Sequence, residues 1–309
     1  MQTTSITKSK KILGTAAVIT ASLLFGLGYT FGSIIRAEGM SETCNALWTS
    51  LISIACNLLF CTVRRKNPFR RISRKQLLQC ILCGVSATWL CNVMFLVAYS
   101  YLSVAEATML HFLHPSMIAV FMTVCFKEKF TRAKLAAIVS SIVGMLLITG
   151  GCQANSLTGI AAALATGVLY AVYPVMLETT SLREVDSSTV VLYMNIFSAL
   201  SSAVVSLSNG TFMLPNTQTV FFCDLIIAVT GVTAYLLTGY GVRIIGATNA
   251  SFGSMLEPIA SCVFAAVVLS QPLERNVLFG AFFIVLSILF TSVQDLPGKH
   301  RTGACSKSL

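Results

Sequence analysis

Apolar residues fill long, nearly unbroken runs along this chain, and short polar clusters separate them at intervals close to the length of a membrane span. Ten runs qualify: roughly 12–35, 43–63, 77–101, 105–126, 135–151, 156–178, 188–208, 219–241, 246–269 and 277–293. About 20 apolar residues cross a bilayer as a helix. Lipid offers no partner to an open N–H or C=O, so a spanning segment must satisfy its backbone internally. The pattern therefore predicts an all-α integral membrane protein with ten transmembrane helices. The fifth and tenth spans are the shortest, and the turns after the third and eighth are very tight.

The two halves repeat one another. Shifting by 143 positions superimposes Ala107 on Ala250, Leu113 on Leu256, Pro115 on Pro258, Val120 on Val263, Val124 on Val267, Leu135 on Leu278 and Leu146 on Leu289. A shift of 145 pairs Gly14 with Gly159, Ala16 with Ala161, Ala17 with Ala162 and Leu24 with Leu169, and sets Phe25 against Tyr170. Each half holds five spans, an odd number, so the second copy enters the membrane from the opposite side. The expectation is two inverted five-helix repeats, 1–152 and 153–309, related by a pseudo-two-fold axis in the membrane plane.

Composition agrees with a membrane protein. The chain is 55% hydrophobic and 10% charged, with mean hydropathy +0.81; soluble domains are typically about a quarter charged. A net charge of +10 would suggest nucleic acid in a soluble protein. Here the positive residues sit in short loops and set orientation instead. With the amino terminus inside, all but two of the 21 Lys and Arg residues fall on the cytoplasmic side, Arg36 and Arg275 being the exceptions. Both termini are then cytoplasmic, and the expected location is the plasma membrane. The run from Ile12 to Ile35 is too long for a signal-peptide core and reads as the first, retained span. Most of the 11 cysteines lie within apolar runs, where Cys behaves as a small hydrophobe. Cys80-x-x-Cys83 has redox or zinc spacing but no second pair nearby. Asn209-Gly-Thr211 matches a glycosylation sequon on the predicted outer side.

Ala107-Thr-Met-Leu-His-Phe-Leu-His-Pro115, then Lys127-Glu-Lys-Phe-Thr131 and Gly144 in a short span, resembles the EamA-type family of the drug/metabolite transporter superfamily. Leu256-Glu-Pro258 and Gln271-Pro-Leu-Glu274 repeat the motif in the second half. Gln271 departs from it, standing where the family commonly has a loop Glu, as Glu128 is in the first half. The resemblance implies ten helices with spans five and ten peripheral. Spans one, three, four, six, eight and nine would then surround a central cavity.

Glu257 is the strongest candidate for chemistry. It lies about ten residues from either end of span nine, hence roughly 15 Å from each interface. A carboxylate there costs about 2.5–3.5 kcal/mol on insertion scales, so it should face protein or water. Ala250, Gly253, Ser254 and Ser261 form a small, polar stripe beside it, and Pro258 can free a carbonyl one turn back, near Ser254. Glu257 reads either as a substrate anchor or proton site, or as a neutral acid bonded to a neighbouring helix. His111 and His114 sit three apart on one face of span four. They read as cavity contacts able to exchange protons, as structural hydrogen bonds, or as ligands to a transition metal. No Cys or Asp completes a ligand set, so no metal and no cofactor is expected. Asn92, Trp89, Tyr29, Tyr170 and Tyr173 line the cavity by position or serve packing, and Pro115, Pro258 and Gly253 are hinge candidates. No phosphate-binding Gly loop, nucleophile elbow or HExxH motif is present, which argues against an enzyme or an ATP-driven pump. The expected function is secondary transport of a small organic metabolite, such as an amino acid, by alternating access. Export or exchange is favoured; the alternative is a lipid-linked substrate flippase or a divalent-metal carrier on the same fold. Expected partners are the solute and membrane lipid, not nucleic acid. One chain holds both repeats, so a homodimer is compatible with the pathway but not needed for it.

Overall fold

A computed structural model describes residues 8–294 except 66, 68, 70, 71, 150–155, 216, 271, 273 and 274. The expected repeat boundary at 152/153, and Gln271 and Glu274 of the second motif, lie outside the described residues. All regular structure among the described residues is helical. In chain order the helices are α1 (Lys8–Ala37), α2 (Glu42–Val63), α3 (Arg74–Cys83), a π-helical stretch (Gly84–Leu90), α4 (Cys91–Tyr99), α5 (Val104–His111) and α6 (His114–Phe126). There follow α7 (Arg132–Thr149), α8 (Leu157–Thr179), a short 3₁₀ turn (Ser181–Glu184), α9 (Ser187–Ser208), α10 (Gln218–Ser254), α11 (Leu256–Val268) and α12 (Arg275–Gln294).

Polar residues between the apolar runs set where helices start. Side chains of Ser41, Ser156, Asp186 and Thr217 accept backbone N–H bonds at the starts of α2, α8, α9 and α10. Ser73 with Gln76, and Ser103 with Glu106, form reciprocal capping boxes at α3 and α5. Each arrangement satisfies donors that the first turn of a helix leaves open. Lys127, at φ 55, turns the chain out of α6.

Among the described residues, seven helical stretches are long and apolar enough to cross a membrane: Ser9–Ala37, Glu42–Val63, Arg74–Tyr99, Glu106–Phe126, Leu157–Thr179, Ser187–Ser208 and Gln218–Ser254. Leu256–Val268 and Arg275–Thr291 are shorter apolar helices. α10 is not straight: Gly246 has φ 83 and ψ 161, a conformation open to glycine, and breaks it at the first residue of predicted span nine, just after the tight turn expected there.

Close approaches at glycine fix the packing. α1 runs along both α10 and α11. A Cβ on Gly26 would stand 2.5 Å from Ala260 Cβ and 2.9 Å from Glu257 O, so only glycine lets the helices meet there. Thr30 Oγ1 donates to Ser261 O across the same seam at 3.4 Å, and Ser22 Oγ to Gly253 O at 3.1 Å. α7 packs on α12 through Gly144 and Gly280, each backbone against the other. The π-helical stretch was not foreseen. It sits where Gly84 meets the backbone of Met194 on α9, and Ser86 and Thr88 turn their hydroxyls back to Leu82 O and Gly84 O. Two such back-bonds in one turn favour a local departure from α geometry.

Candidate functional site

Both proline motifs break their helices in the same register. α5 ends at His111 and α6 begins at His114; α10 ends at Ser254 and α11 begins at Leu256. Proline has no N–H, so Pro115 leaves His111 O without its helical donor. The His114 ring takes up that carbonyl, with Nδ1 3.2 Å from His111 O.

The two breaks meet at the centre of the bundle. His114 Nε2 lies 3.2 Å from Ser254 Oγ, joining residues 140 apart in sequence. Tyr170, near the middle of α8, donates its hydroxyl to Glu257 Oε1 at 3.3 Å. The Tyr170 ring centroid stands 4.8 Å from that of His114 and 5.3 Å from that of His111. Glu257 and His114 are thus joined through Tyr170. Tyr29 on α1 reaches the same carboxylate. The Glu257 level is that of Gly26, near the middle of α1, which places the acid deep within the bundle.

Burial and exposure are divided unevenly. Glu257 is 1% exposed, His114 0% and His111 2%, whereas Tyr29 is 49% exposed. Open space therefore adjoins the cluster on the α1 side. Glu257 Oε2 has no hydrogen-bond partner. Buried polar atoms are nearly always paired, so this buried oxygen is a vacant acceptor, or a donor position once protonated.

The partners fix the histidine tautomers by inference. Thr166 Oγ1 donates to Ala163 O at 2.6 Å and lies 3.0 Å from His111 Nδ1. A hydroxyl has one proton, so Thr166 accepts and His111 donates from Nδ1. His114 differs. His111 O only accepts, so Nδ1 of His114 carries hydrogen. Ser254 Oγ already donates to Ser251 O at 2.7 Å. With that bond in place both ring nitrogens of His114 face acceptors, which an imidazolium satisfies fully. A neutral ring requires the Ser254 hydroxyl to turn from Ser251 O to Nε2. A rotation of one hydroxyl separates the two protonation states.

The remaining candidates fall on either side of this cluster. Tyr173 is buried, donates to Tyr235 O at 3.0 Å and meets the Tyr235 ring edge-on, with Phe25 on the other side of Tyr235. It belongs to an aromatic layer beside the carboxylate. Trp89 is half-buried on the π-helical stretch, and its Nε1 finds no partner. Asn92 is half-buried beside Cys91 and is not among the groups that hydrogen-bond to the cluster. Gly253 is the acceptor for Ser22 and stands against Val18, so it is a point of close helix contact. Thr166, Tyr235 and Ser251 were missed. They carry no local signal; only Thr166, one turn before Tyr170 in the run that pairs with span one, stood near a marked position. Among the described residues, no group of three or more His, Cys, Asp and Glu side chains is placed to hold a metal ion.

The sequence model of the EamA-like transporter family matches twice, over residues 12–150 and 157–293. The chain is 25% identical over 238 residues to an uncharacterized transporter, YyaM, of Bacillus subtilis, covering 71% of this chain and 74% of that protein. It is 24% identical over 227 residues to an uncharacterized inner membrane transporter, YicL, of Salmonella typhimurium, covering 72% and 75%. A solved crystal structure of a protein superposes with a TM-score of 0.73 over 93% of this chain and 97% of that one, at 16% identity, a likeness of fold alone.

Proposed function

The chain belongs to the EamA-like transporter family, and we propose that it is a secondary carrier that moves a small amphipathic or zwitterionic metabolite, an amino acid or a relative of one, by alternating access. As a member of that family it is a multi-pass transmembrane transporter, and its partner is a small-molecule solute. The finer reading is that Gly246 divides α10 into two crossings. With α7 and α12 also crossing, ten spans form two inverted repeats, 1–152 and 153–309, with both termini in the cytoplasm of a plasma-membrane protein. The matched registers of the breaks before Pro115 and Pro258 support the repeat, and the loop positives support the orientation.

One observation carries the mechanism: a buried acid, Glu257, has one oxygen on Tyr170 and the other unpartnered, while Tyr29, which reaches the same carboxylate, is half exposed. Such an oxygen accepts an ammonium group or a proton. His114, buried and held by His111 O and Ser254 Oγ, does not itself meet the solute; it packs on Tyr170, the residue that holds Glu257. The solute's ammonium would sit on Glu257. Removing the solute leaves Glu257 and His114 to exchange protons with whichever side the cavity faces, which couples the solute to a proton gradient and permits export or exchange.

Reconstituted protein should move a labelled member of an amino-acid and metabolite panel down its gradient across liposomes holding a trapped pH dye. Failure of every panel member to move would overturn the reading and shift weight to a lipid-linked or metal substrate.

A further inference from the structure

Two routes of contact lead from Glu257 to Arg36, near the end of α1. One follows α1 itself. Tyr29 reaches the Glu257 carboxylate, and Arg36 lies seven residues further along, on the same helical face. The other route crosses the bundle through rings. Tyr170 holds the Glu257 carboxylate, and its ring lies 5.3 Å from that of His111. His111 stands 5.0 Å from Phe95, and Phe95 stacks on Tyr99 at 5.4 Å. Arg36 Cζ lies 5.9 Å from the Tyr99 centroid. The two routes part at Glu257 and rejoin at Arg36, so they frame the space between them.

That space is open, and it lies inside the protein. An α-helix turns about 100° per residue, so Val18, Ser22, Tyr29 and Arg36 share one face of α1 and Thr20 falls opposite. Thr20 is exposed, as a side chain turned to lipid is. Val18 and Ser22 are buried against Gly253, which marks theirs as the face turned into the bundle. Further on, the same face is uncovered. Tyr29 is half exposed, Ser33 and Arg36 are exposed, and a Cβ on Gly32 would meet nothing within 4 Å. The inward face of α1 is therefore covered at Val18 and Ser22 and open from Tyr29 to Arg36.

Arg36 stands at the end of this opening. It donates through Nε to Glu42 Oε1, in the first turn of α2, at 2.6 Å. The carboxylate and the Tyr99 ring orient the guanidinium, and a bond through Nε does not use the paired terminal nitrogens. That planar fork matches a carboxylate, two N–H groups to two oxygens. An exposed ion pair adds little stability, so the main consequence of the Glu42 bond is where it holds the fork.

We propose that the space between α1 and the Phe95–Tyr99 face of α4 is the passage by which solute reaches Glu257 from the Arg36 end, and that Arg36 is a separate station in it that binds the solute's carboxylate. Seven residues of helix cover about 10 Å, more than separates the two charges of an amino acid. A solute held at Arg36 has therefore not yet reached Glu257. Arg36 selects for a carboxylate at the entrance, and Glu257 holds an ammonium at the centre. The proposal rests on the transport reading and deepens it by naming the carboxylate as a group the carrier selects.

Thiol labelling of the full chain in nanodiscs tests it without transport. Gly32→Cys places a thiol in the opening. Its modification is followed by peptide mass spectrometry with two methanethiosulfonates, the anionic sulfonatoethyl and the cationic trimethylammonioethyl reagents, whose fixed charges keep them in water. The sulfonate stands in for a carboxylate. Both reagents should modify residue 32. Adding Arg36→Gln should lower the anionic-to-cationic rate ratio about fivefold, because a unit charge one helical turn away acts oppositely on the two reagents through salt water. Glu42→Gln keeps the guanidinium, removes its countercharge and should raise the ratio. A thiol at 32 that neither reagent reaches would overturn the passage. A ratio unmoved by Arg36→Gln, or lowered by Glu42→Gln, would overturn Arg36 as the station. No solute moves in this test, so its failure and a failure to move any panel solute are separate results.

Discussion

A single methyl group at Gly167 tests the site geometry at its tightest point. The helix α8 passes the break between α5 and α6 so closely that a Cβ at Gly167 would stand 2.9 Å from His111 O and 3.5 Å from His114 Cβ. Ordinary contact begins near 3.4 Å, so Gly167→Ala forces the His111 carbonyl back by roughly half an ångström. The carbonyl belongs to a backbone already bent at Pro115 and cannot rotate aside. It is also the acceptor of His114 Nδ1, and the neighbouring residue Thr166 is the acceptor of His111. One displacement therefore strains both histidine bonds. Inserting a methyl group into a packed interior costs about 1–3 kcal/mol, which is roughly a factor of five to over a hundred in an equilibrium. Much of that falls on the separation of α8 from α6, the spacing Tyr170 needs to bridge His114 and Glu257. The expected result in proteoliposomes is transport lowered on the order of tenfold or more, with a lower unfolding temperature. The control is Gly231→Ala, inside α10, where a Cβ meets nothing within 4 Å; its unfolding temperature should equal or exceed that of wild type, since Ala favours a helix over Gly. Wild-type transport and stability from well-expressed Gly167→Ala would refute the close approach and the geometry built on it.

Other outcomes follow from the same contacts. Ser254→Ala removes the acceptor that completes the hydrogen bonding of a charged His114, so solute-driven proton movement should weaken while uncoupled solute movement persists; equal losses of both would contradict the tautomer switch. Arg243→Lys should lower the unfolding temperature nearly as much as Arg243→Ala. A guanidinium reaches Ser187, Val185 and Leu182 together, whereas an ammonium is a single point of charge; full stability in the Lys variant would contradict that clamp.

Much of the architecture was legible because membrane spans are written in long apolar runs. Span positions, the tight turn now seen at Gly246 and the two proline breaks follow from residues close together in sequence. The helices α7 and α12 pack on each other through Gly144 and Gly280, but the specific contact is invisible to hydropathy. The site was half legible. Glu257, His111 and His114 are conspicuous as ionisable groups in apolar runs. Their partners are less so: Ser254 stands in the small polar stripe beside Glu257 and Tyr170 among the aromatics placed by position, whereas Thr166 looks like an ordinary small helix residue. Pairing across 140 residues depends on how helices cross, which local periodicity does not encode. The π-helical stretch carries no sequence mark beyond a glycine and two hydroxyls.

The most direct test of the account is solute-driven proton movement in the wild type and Glu257→Gln. Liposomes holding a pH dye receive the panel member that the wild type transports. The account predicts a pH change on adding solute to the wild type and its loss in Glu257→Gln, with Gln preserving size and the Tyr170 contact. Equal solute movement in both proteins, with no proton signal in either, would make Glu257 a structural acid and the protein a facilitator, contradicting the central claim.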